Sequence, residues 1–98
     1  MNDLDATIAK LQSLLPQLAS AYGVSRLWIF GSRARGDQSS TSDIDILVEF
    51  SRRGFSLFDF ASLNLCLEDA LGMKVDLVER DALRPELQPF VLPEAVAV

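Results

Sequence analysis

Most of the information on fold and chemistry lies in residues 27–50, which read LWIFGSRARGDQSSTSDIDILVEF. The apolar and aromatic run at residues 26–30 ends abruptly at Gly31, which is typical of a buried strand. In residues 43–50 the aspartates at positions 43 and 45 alternate with the isoleucines at positions 44 and 46, and this period of two predicts a second strand. The connection between them, residues 31–42, is too polar to supply a packed crossover helix, so we expect the two strands to be antiparallel neighbours.

The segment before this stretch predicts an amphipathic helix. Apolar residues recur every three or four positions from Leu4 to Tyr22, which is the stripe of a helix that packs on one face. Gly23 stands where a left-handed residue would end the helix. Pro16 removes one backbone hydrogen bond in the middle, so we expect either a kinked helix or two short helices in line.

The segment after it predicts a second helix, a third strand and a broken tail. Ser56 and Asp59 form an S-x-x-D helix start, and Gly72 is a suitable end. Residues 73–78 predict the third strand, and residues 94–98 could form an edge strand. Only short helices fit between them, because prolines recur every four residues there (Pro85, Pro89 and Pro93). The order predicts a two-layer α+β fold, a small mixed sheet flanked by helices, with residues 1–98 as one domain.

Composition excludes several classes of function. The formal net charge is −5, with 9 Lys and Arg against 14 Asp and Glu, which disfavours a nucleic-acid partner. The chain contains no histidine, so Ser-His-Asp and Cys-His catalysis and HExxH zinc sites are ruled out. No apolar run approaches the roughly 18 residues of a membrane span, and no signal peptide is recognisable. We therefore expect a cytoplasmic protein without a membrane partner.

Three aspartates occupy strand positions, where acidic side chains have poor propensity. Alternation places Asp43 and Asp45 on one face of the second strand, with Cα atoms roughly 7 Å apart. Asp76 has the same setting within KVDLV in the third strand. The residues alone leave two interpretations open. The acids are either solvated on a wet sheet face or share divalent metal, which would offset the cost of placing them in apolar strands.

The glycine-rich turn after the first strand is a candidate phosphate-binding loop. Gly31 permits a backbone turn that a side chain would block, and the Ser32 hydroxyl and following N–H groups could bind phosphate oxygens. Arg33 and Arg35 could add charge-assisted contacts to a triphosphate. A surface turn with two solvated arginines is the alternative. The segment matches neither GxGxxG nor GxxxxGK[ST], which disfavours a Rossmann site or a P-loop.

The two motifs together resemble the signature of the polymerase-beta-type nucleotidyltransferase superfamily. The string FGSRARG…SDIDILVEF…VDLVE is similar to its minimal nucleotidyltransferase branch, over residues 27–79 and more loosely over the leading helix. The positions that match in spacing and identity are Gly31, Ser32, Arg35, Gly36, Ser42, Asp43, Asp45 and Asp76. The resemblance implies a polymerase-beta-like fold. It also implies that ATP is a substrate and that Mg²⁺, or alternatively Mn²⁺, is the metal.

The resemblance also implies roles for single residues. Gly31 and Ser32 would grip the triphosphate, as in the family's GS loop, and Asp43 and Asp45 would bind the metal pair. Asp76 would complete the metal site and deprotonate or orient the acceptor hydroxyl.

The same branch resembles antitoxins encoded beside HEPN-domain ribonucleases, which they silence by transferring AMP to a tyrosine. The HEPN motif needs a histidine, so this chain would be the antitoxin of a type VII-like pair that forms a hetero-oligomer. A second hypothesis stays open, in which the chain neutralises its partner by occlusion and nucleotide binding is secondary. The apolar tail, residues 90–98, suits a docking edge in both hypotheses, although an ordinary covered edge strand also explains it.

Overall fold

The computed structural model describes residues 3–31, 34, 43–51 and 56–98. Within these ranges the strands are β1 (Val24–Phe30), β2 (Ile44–Phe50), β3 (Val75–Glu79) and β4 (Val96–Ala97), and they form one sheet in the order β3-β2-β1-β4. β1 is antiparallel to both β2 and β4, whereas β2 and β3 are parallel. The predicted mixed sheet, the antiparallel first pair and the terminal edge strand are confirmed.

The first helix, α1 (Asp3–Tyr22), is one continuous element that contains Pro16. The alternative of two short helices is therefore wrong. Leu11 and Leu18, one on each side of the proline, are both buried in the core, and this packing keeps the two halves in line despite the lost hydrogen bond. Gly23 ends the helix at φ 72° and donates its N–H to the Ala19 carbonyl at 2.9 Å.

The second helix, α2 (Leu57–Leu71), connects the parallel strands β2 and β3 and has both predicted ends. The Ser56 hydroxyl accepts a hydrogen bond from the Asp59 N–H, and the Asp59 carboxylate accepts one from the Ser56 N–H. Gly72 follows in the left-handed conformation and donates its N–H to the Glu68 carbonyl at 2.8 Å. Among the described helices, none is both long and apolar enough to cross a membrane.

The core lies between the two helices and one face of the sheet. The alternation predicted for β2 directs Ile44, Ile46 and Val48 into this core, where each is fully buried. The other members of the cluster come from the two helices and the neighbouring strands (Leu11, Leu18, Val24, Leu27, Ile29, Leu63, Leu67, Val75 and Leu77). The aspartates of β2 and β3 consequently face away from the helices.

The second face of the sheet is covered in its middle by the chain that follows β3. Leu47 points to this face and is 0% exposed, although it is not part of the core cluster. Arg80, in the 3-10 turn Arg80–Ala82, stands over the ring of Trp28 at 5.9 Å, and Trp28 is the strand partner of Leu47. This face is therefore closed to water at Leu47.

The tail returns along the sheet to β1 in short pieces, as its prolines predict. It comprises the short helix α3 (Gln88–Val91), a 3-10 turn (Leu92–Glu94) and β4. β4 pairs with Trp28 and Ile29 near the end of β1. The tail therefore reaches the end of the sheet at which the aspartates of β2 and β3 lie.

Candidate active site

The parallel pairing of β2 and β3 places two of the predicted acids side by side. Asp45 is the direct strand partner of Asp76, and neighbouring strands are about 4.8 Å apart. Paired residues project from the same face, so both carboxylates lie on the face opposite the core. Asp43 precedes the first residue of β2 and is exposed to solvent. The sheet thus brings Asp45 and Asp76 together on one face, and Asp43 precedes β2 at the same end.

Two hydrogen bonds fix this end of the sheet. The Ile44 N–H donates to the Lys74 carbonyl at 3.0 Å, which ties the start of β2 to the residue before β3. The Val75 N–H donates to the Glu68 carboxylate at 2.9 Å, which ties the start of β3 to the last turn of α2. Both bonds hold residues adjacent in sequence to an aspartate, so they position Asp43, Asp45 and Asp76 through the backbone.

Glu68 was not among the residues predicted from the sequence. The signal that could have revealed it is its place in the last turn of α2, where the helix dipole disfavours a negative side chain. Such a position calls for a local partner, and the structure shows that this partner is the first N–H of the next strand. Glu68 is therefore a positioning residue for the start of β3.

Gly31 lies directly against Asp45. Phe30, the last residue of β1, is the strand partner of Asp45, and Gly31 follows at φ 74°. A Cβ atom added to Gly31 would collide with the Asp45 Oδ2 atom and lie 3.1 Å from its Cγ atom. Both the backbone conformation and the position of the Asp45 carboxylate therefore favour glycine here. The contact joins the predicted phosphate-binding turn to the predicted metal ligands.

The other predicted nucleotide-binding residues, Ser32, Arg33 and Arg35, lie outside the described residues, so their roles stay predictions. Ala34, which stands between the two arginines, is described. It is helical, and its side chain packs against the core cluster.

The donor set suits Mg²⁺, which prefers carboxylate oxygens and keeps several of its waters. Asp43 and Asp76 are exposed and Asp45 is half-buried, so water could complete the coordination. In the described part of the chain, however, no three His, Cys, Asp or Glu side chains are grouped closely enough to hold a metal ion. The metal site at Asp43, Asp45 and Asp76 thus stays a prediction that rests on the strand register and the ligand chemistry.

Comparison with known proteins agrees with this geometry. The family model of the nucleotidyltransferase domain matches residues 11–98. A Methanocaldococcus jannaschii protein named as a candidate protein adenylyltransferase is 49% identical over 77 residues, which cover 79% of this chain and 82% of that protein. The protein adenylyltransferase MntA of Thermococcus cleftensis is 38% identical over 96 residues, with 94% and 96% of the two chains covered.

Solved structures give the same assignment of the fold. A structure described as a candidate minimal nucleotidyltransferase is 40% identical, has a TM-score of 0.81, and covers 99% of this chain and 97% of its own. A toxin-antitoxin structure with AMP-PNP is 27% identical, has a TM-score of 0.73 and covers 91% and 69% of the two chains.

A complex of tri-AMPylated Shewanella oneidensis HEPN toxin with MNT antitoxin shares the fold alone, at 22% identity and a TM-score of 0.68, with 96% and 70% of the two chains covered. The predicted α+β fold and the resemblance to the minimal branch are thus confirmed. The match of the family model to residues 11–98 shows that this chain belongs to the nucleotidyltransferase domain family.

Proposed function

We propose that this chain is a protein adenylyltransferase that transfers AMP from ATP to a hydroxyl group, specifically a tyrosine, of a separately encoded HEPN-type protein. The observation that carries the proposal is the pairing of Asp45 with Asp76, with Gly31 packed against the Asp45 carboxylate. The names of the Methanocaldococcus and Thermococcus relatives support protein as the acceptor. The toxin-antitoxin structures support the kind of partner.

Different residues at this end of the sheet would bind the phosphates and the metal. The Gly31–Ser32 turn would bind the β- and γ-phosphates, and Arg33 and Arg35 would add charge-assisted contacts. Asp43 and Asp45 would hold Mg²⁺, with Asp76 as a further ligand. Bound there, the metal supplies Lewis-acid stabilisation of the charge that develops on the phosphate oxygens.

Asp76 would act on the acceptor because it is exposed and lies on the far side of β2 from Gly31. Its carboxylate would accept the proton of the acceptor hydroxyl as the hydroxyl oxygen attacks the α-phosphorus. The bond from the α-phosphorus to the bridging oxygen then breaks, and pyrophosphate leaves on the opposite side, over the Gly31–Ser32 turn. With no histidine in the chain, Asp76 is the residue best placed to serve as the base.

A second candidate function is neutralisation by occlusion, which an exposed apolar surface favours. Leu57 and Phe58, at the start of α2, are 88% and 87% exposed. β2 starts beside the aspartates and ends at the opposite end of the sheet, and α2 begins after that end. These side chains therefore lie at the other end of the molecule from the candidate site. A partner could dock there without the reaction.

Label transfer with purified proteins tests the proposal. The chain is incubated with ATP labelled at the α-phosphate, Mg²⁺ and a candidate HEPN-type partner protein, and the products are separated into protein, RNA and small molecules. We expect label on the partner, and none with the triple variant Asp43→Asn, Asp45→Asn, Asp76→Asn. Label on RNA or on a small molecule would retain the enzyme class and refute the protein acceptor. A bound but unlabelled partner would favour occlusion.

A further inference from the structure

A pocket of about 480 Å³ opens beside Gly31, between the end of β1 and the tail. Phe30 and Gly31 form one wall, and the α3 segment with the turn after it forms the other, with Pro89, Phe90, Pro93 and Glu94 among its lining residues. Its volume is within the range of small-molecule sites. From its sequence the tail is predicted only as an edge strand or a docking edge, without a ligand.

The pocket adjoins the candidate site on the side of β1. Phe30 is the strand partner of Asp45, and Gly31 packs against the Asp45 carboxylate, so the wall of the pocket and the phosphate-binding turn share residues. Asp76 lies on β3, which is separated from β1 by β2. The pocket is therefore on the opposite side of the site from the proposed base.

The chemistry of the lining selects the kind of group that would fit. The walls are mainly apolar and include two phenyl rings and two prolines, and among the lining residues that the structure describes Glu94 is the charged one. Phenyl and prolyl rings and a carboxylate supply no positive charge for a polyphosphate. They suit a flat, neutral, aromatic group, since nucleobases stack on aromatic side chains without regard to their sequence identity. Phe90 is 73% exposed, so its ring is available for such contact and adds little to the core.

We propose that this pocket is the nucleobase subsite of the enzyme and that Phe90 is the residue on which the base stacks. This inference rests on the proposed function. The triphosphate lies over the Gly31–Ser32 turn, and the base enters between Phe30 and the α3 segment. An acceptor tyrosine would also be flat, but its hydroxyl must approach the phosphorus from the side of Asp76, and the pocket lies on the other side.

Calorimetric titration with two probes tests the subsite. Mg²⁺-ATP carries the base, whereas Mg²⁺-tripolyphosphate carries the phosphates without it. We expect Phe90→Ala to weaken ATP binding about tenfold, at the lower end of the range for base stacking, and to leave tripolyphosphate binding unchanged. Phe90→Tyr, which retains the ring, should restore the affinity for ATP. Phe58→Ala removes another largely exposed ring, outside the pocket, and serves as the matched control.

The outcomes separate the subsite from the proposed function. Wild-type protein that binds both probes equally well would overturn the subsite and leave the function standing. So would a Phe90→Ala variant that binds ATP as tightly as wild type, or one that loses both probes in parallel. Wild-type protein that binds neither probe would refute the proposed function and the subsite with it. Thermal melting of each variant verifies that it is folded.

Discussion

Replacing Gly31 with alanine should damage the candidate site far more than it damages the fold. The added Cβ collides with the Asp45 Oδ2 atom and approaches Cγ to 3.1 Å, and the residue must keep a φ of 74°. Gly72 provides a matched control, because it has a φ of 68° and an added Cβ would have no neighbour within 4 Å. The two substitutions share the backbone cost and differ in the contact with Asp45.

The structure sets the magnitudes. A left-handed conformation costs a non-glycine residue about 1–2 kcal/mol, so Gly72→Ala should lower the free energy of unfolding by about that amount. In Gly31→Ala, the colliding atoms are the end of the Asp45 side chain, which can rotate away at an additional cost of about 0.5–1.5 kcal/mol. Rotation moves the carboxylate out of position, and a misplacement of about 1 Å can reduce the rate of a reaction about 100-fold.

Denaturant unfolding and label transfer from ATP measure the two effects separately. We expect Gly31→Ala to be less stable than Gly72→Ala and about 100-fold less active, while Gly72→Ala retains activity. In an Asp45→Ala background the nearest remaining contact is the Cβ atom of residue 45, at 3.4 Å, and the additional stability cost of Gly31→Ala should disappear. Equal stability and activity of the two glycine variants would refute the contact between Gly31 and Asp45, as would an additional cost that persists without the carboxylate.

Three further substitutions test the other parts of the site. Asp45→Asn retains the shape of the side chain and removes its charge. The affinity for Mg²⁺-ATP, measured by calorimetry, should therefore fall at least about tenfold, which is about 1.4 kcal/mol. Unchanged affinity would show that Asp45 is not a ligand of the metal. Ser32→Ala should weaken triphosphate binding and change the free energy of unfolding by about 0.5 kcal/mol or less. If the variant instead unfolds while its folded fraction still binds nucleotide, the Ser32 hydroxyl has a structural role. Glu68→Ala leaves the Val75 N–H without its acceptor and should cost about 1–3 kcal/mol of stability in denaturant titrations. It should also lower activity, because the start of β3 and therefore Asp76 would be displaced. Glu68→Gln, which still accepts the hydrogen bond, should restore both stability and activity.

The local features of this fold could be predicted from the sequence because neighbouring residues determine them. The helix ends at Ser56 and Gly72 follow from side-chain capping and from the left-handed conformation of glycine. The alternation in β2 requires only that one face pack on a core. The need for glycine at position 31 was predicted from its place after a buried strand, and the structure adds that the nearby atoms belong to Asp45.

Features that depend on distant residues could not be predicted in the same way. β1 begins at Val24, two residues before the predicted start, because Val24 pairs with Phe50 and is buried. The pairing of Asp45 with Asp76 depends on how α2 returns the chain, and spacing along the sequence does not fix that register. The cover over the face of β2 that carries Leu47 likewise comes from a distant segment, the 3-10 turn Arg80–Ala82, which contacts β2 from more than thirty residues further along the chain.

The molar ratio at which this chain silences the proposed HEPN-type partner tests the central proposal most directly. The ribonuclease activity of the partner is measured after incubation with increasing amounts of this chain, with and without Mg²⁺-ATP, and the mass of the partner is determined in the same samples. An adenylyltransferase acts repeatedly, so we expect complete silencing far below equimolar amounts, dependence on ATP, and a partner heavier by one or more AMP groups on tyrosine. Silencing that requires equimolar amounts, occurs equally with the triple asparagine variant and leaves the mass of the partner unchanged would contradict the account and establish occlusion.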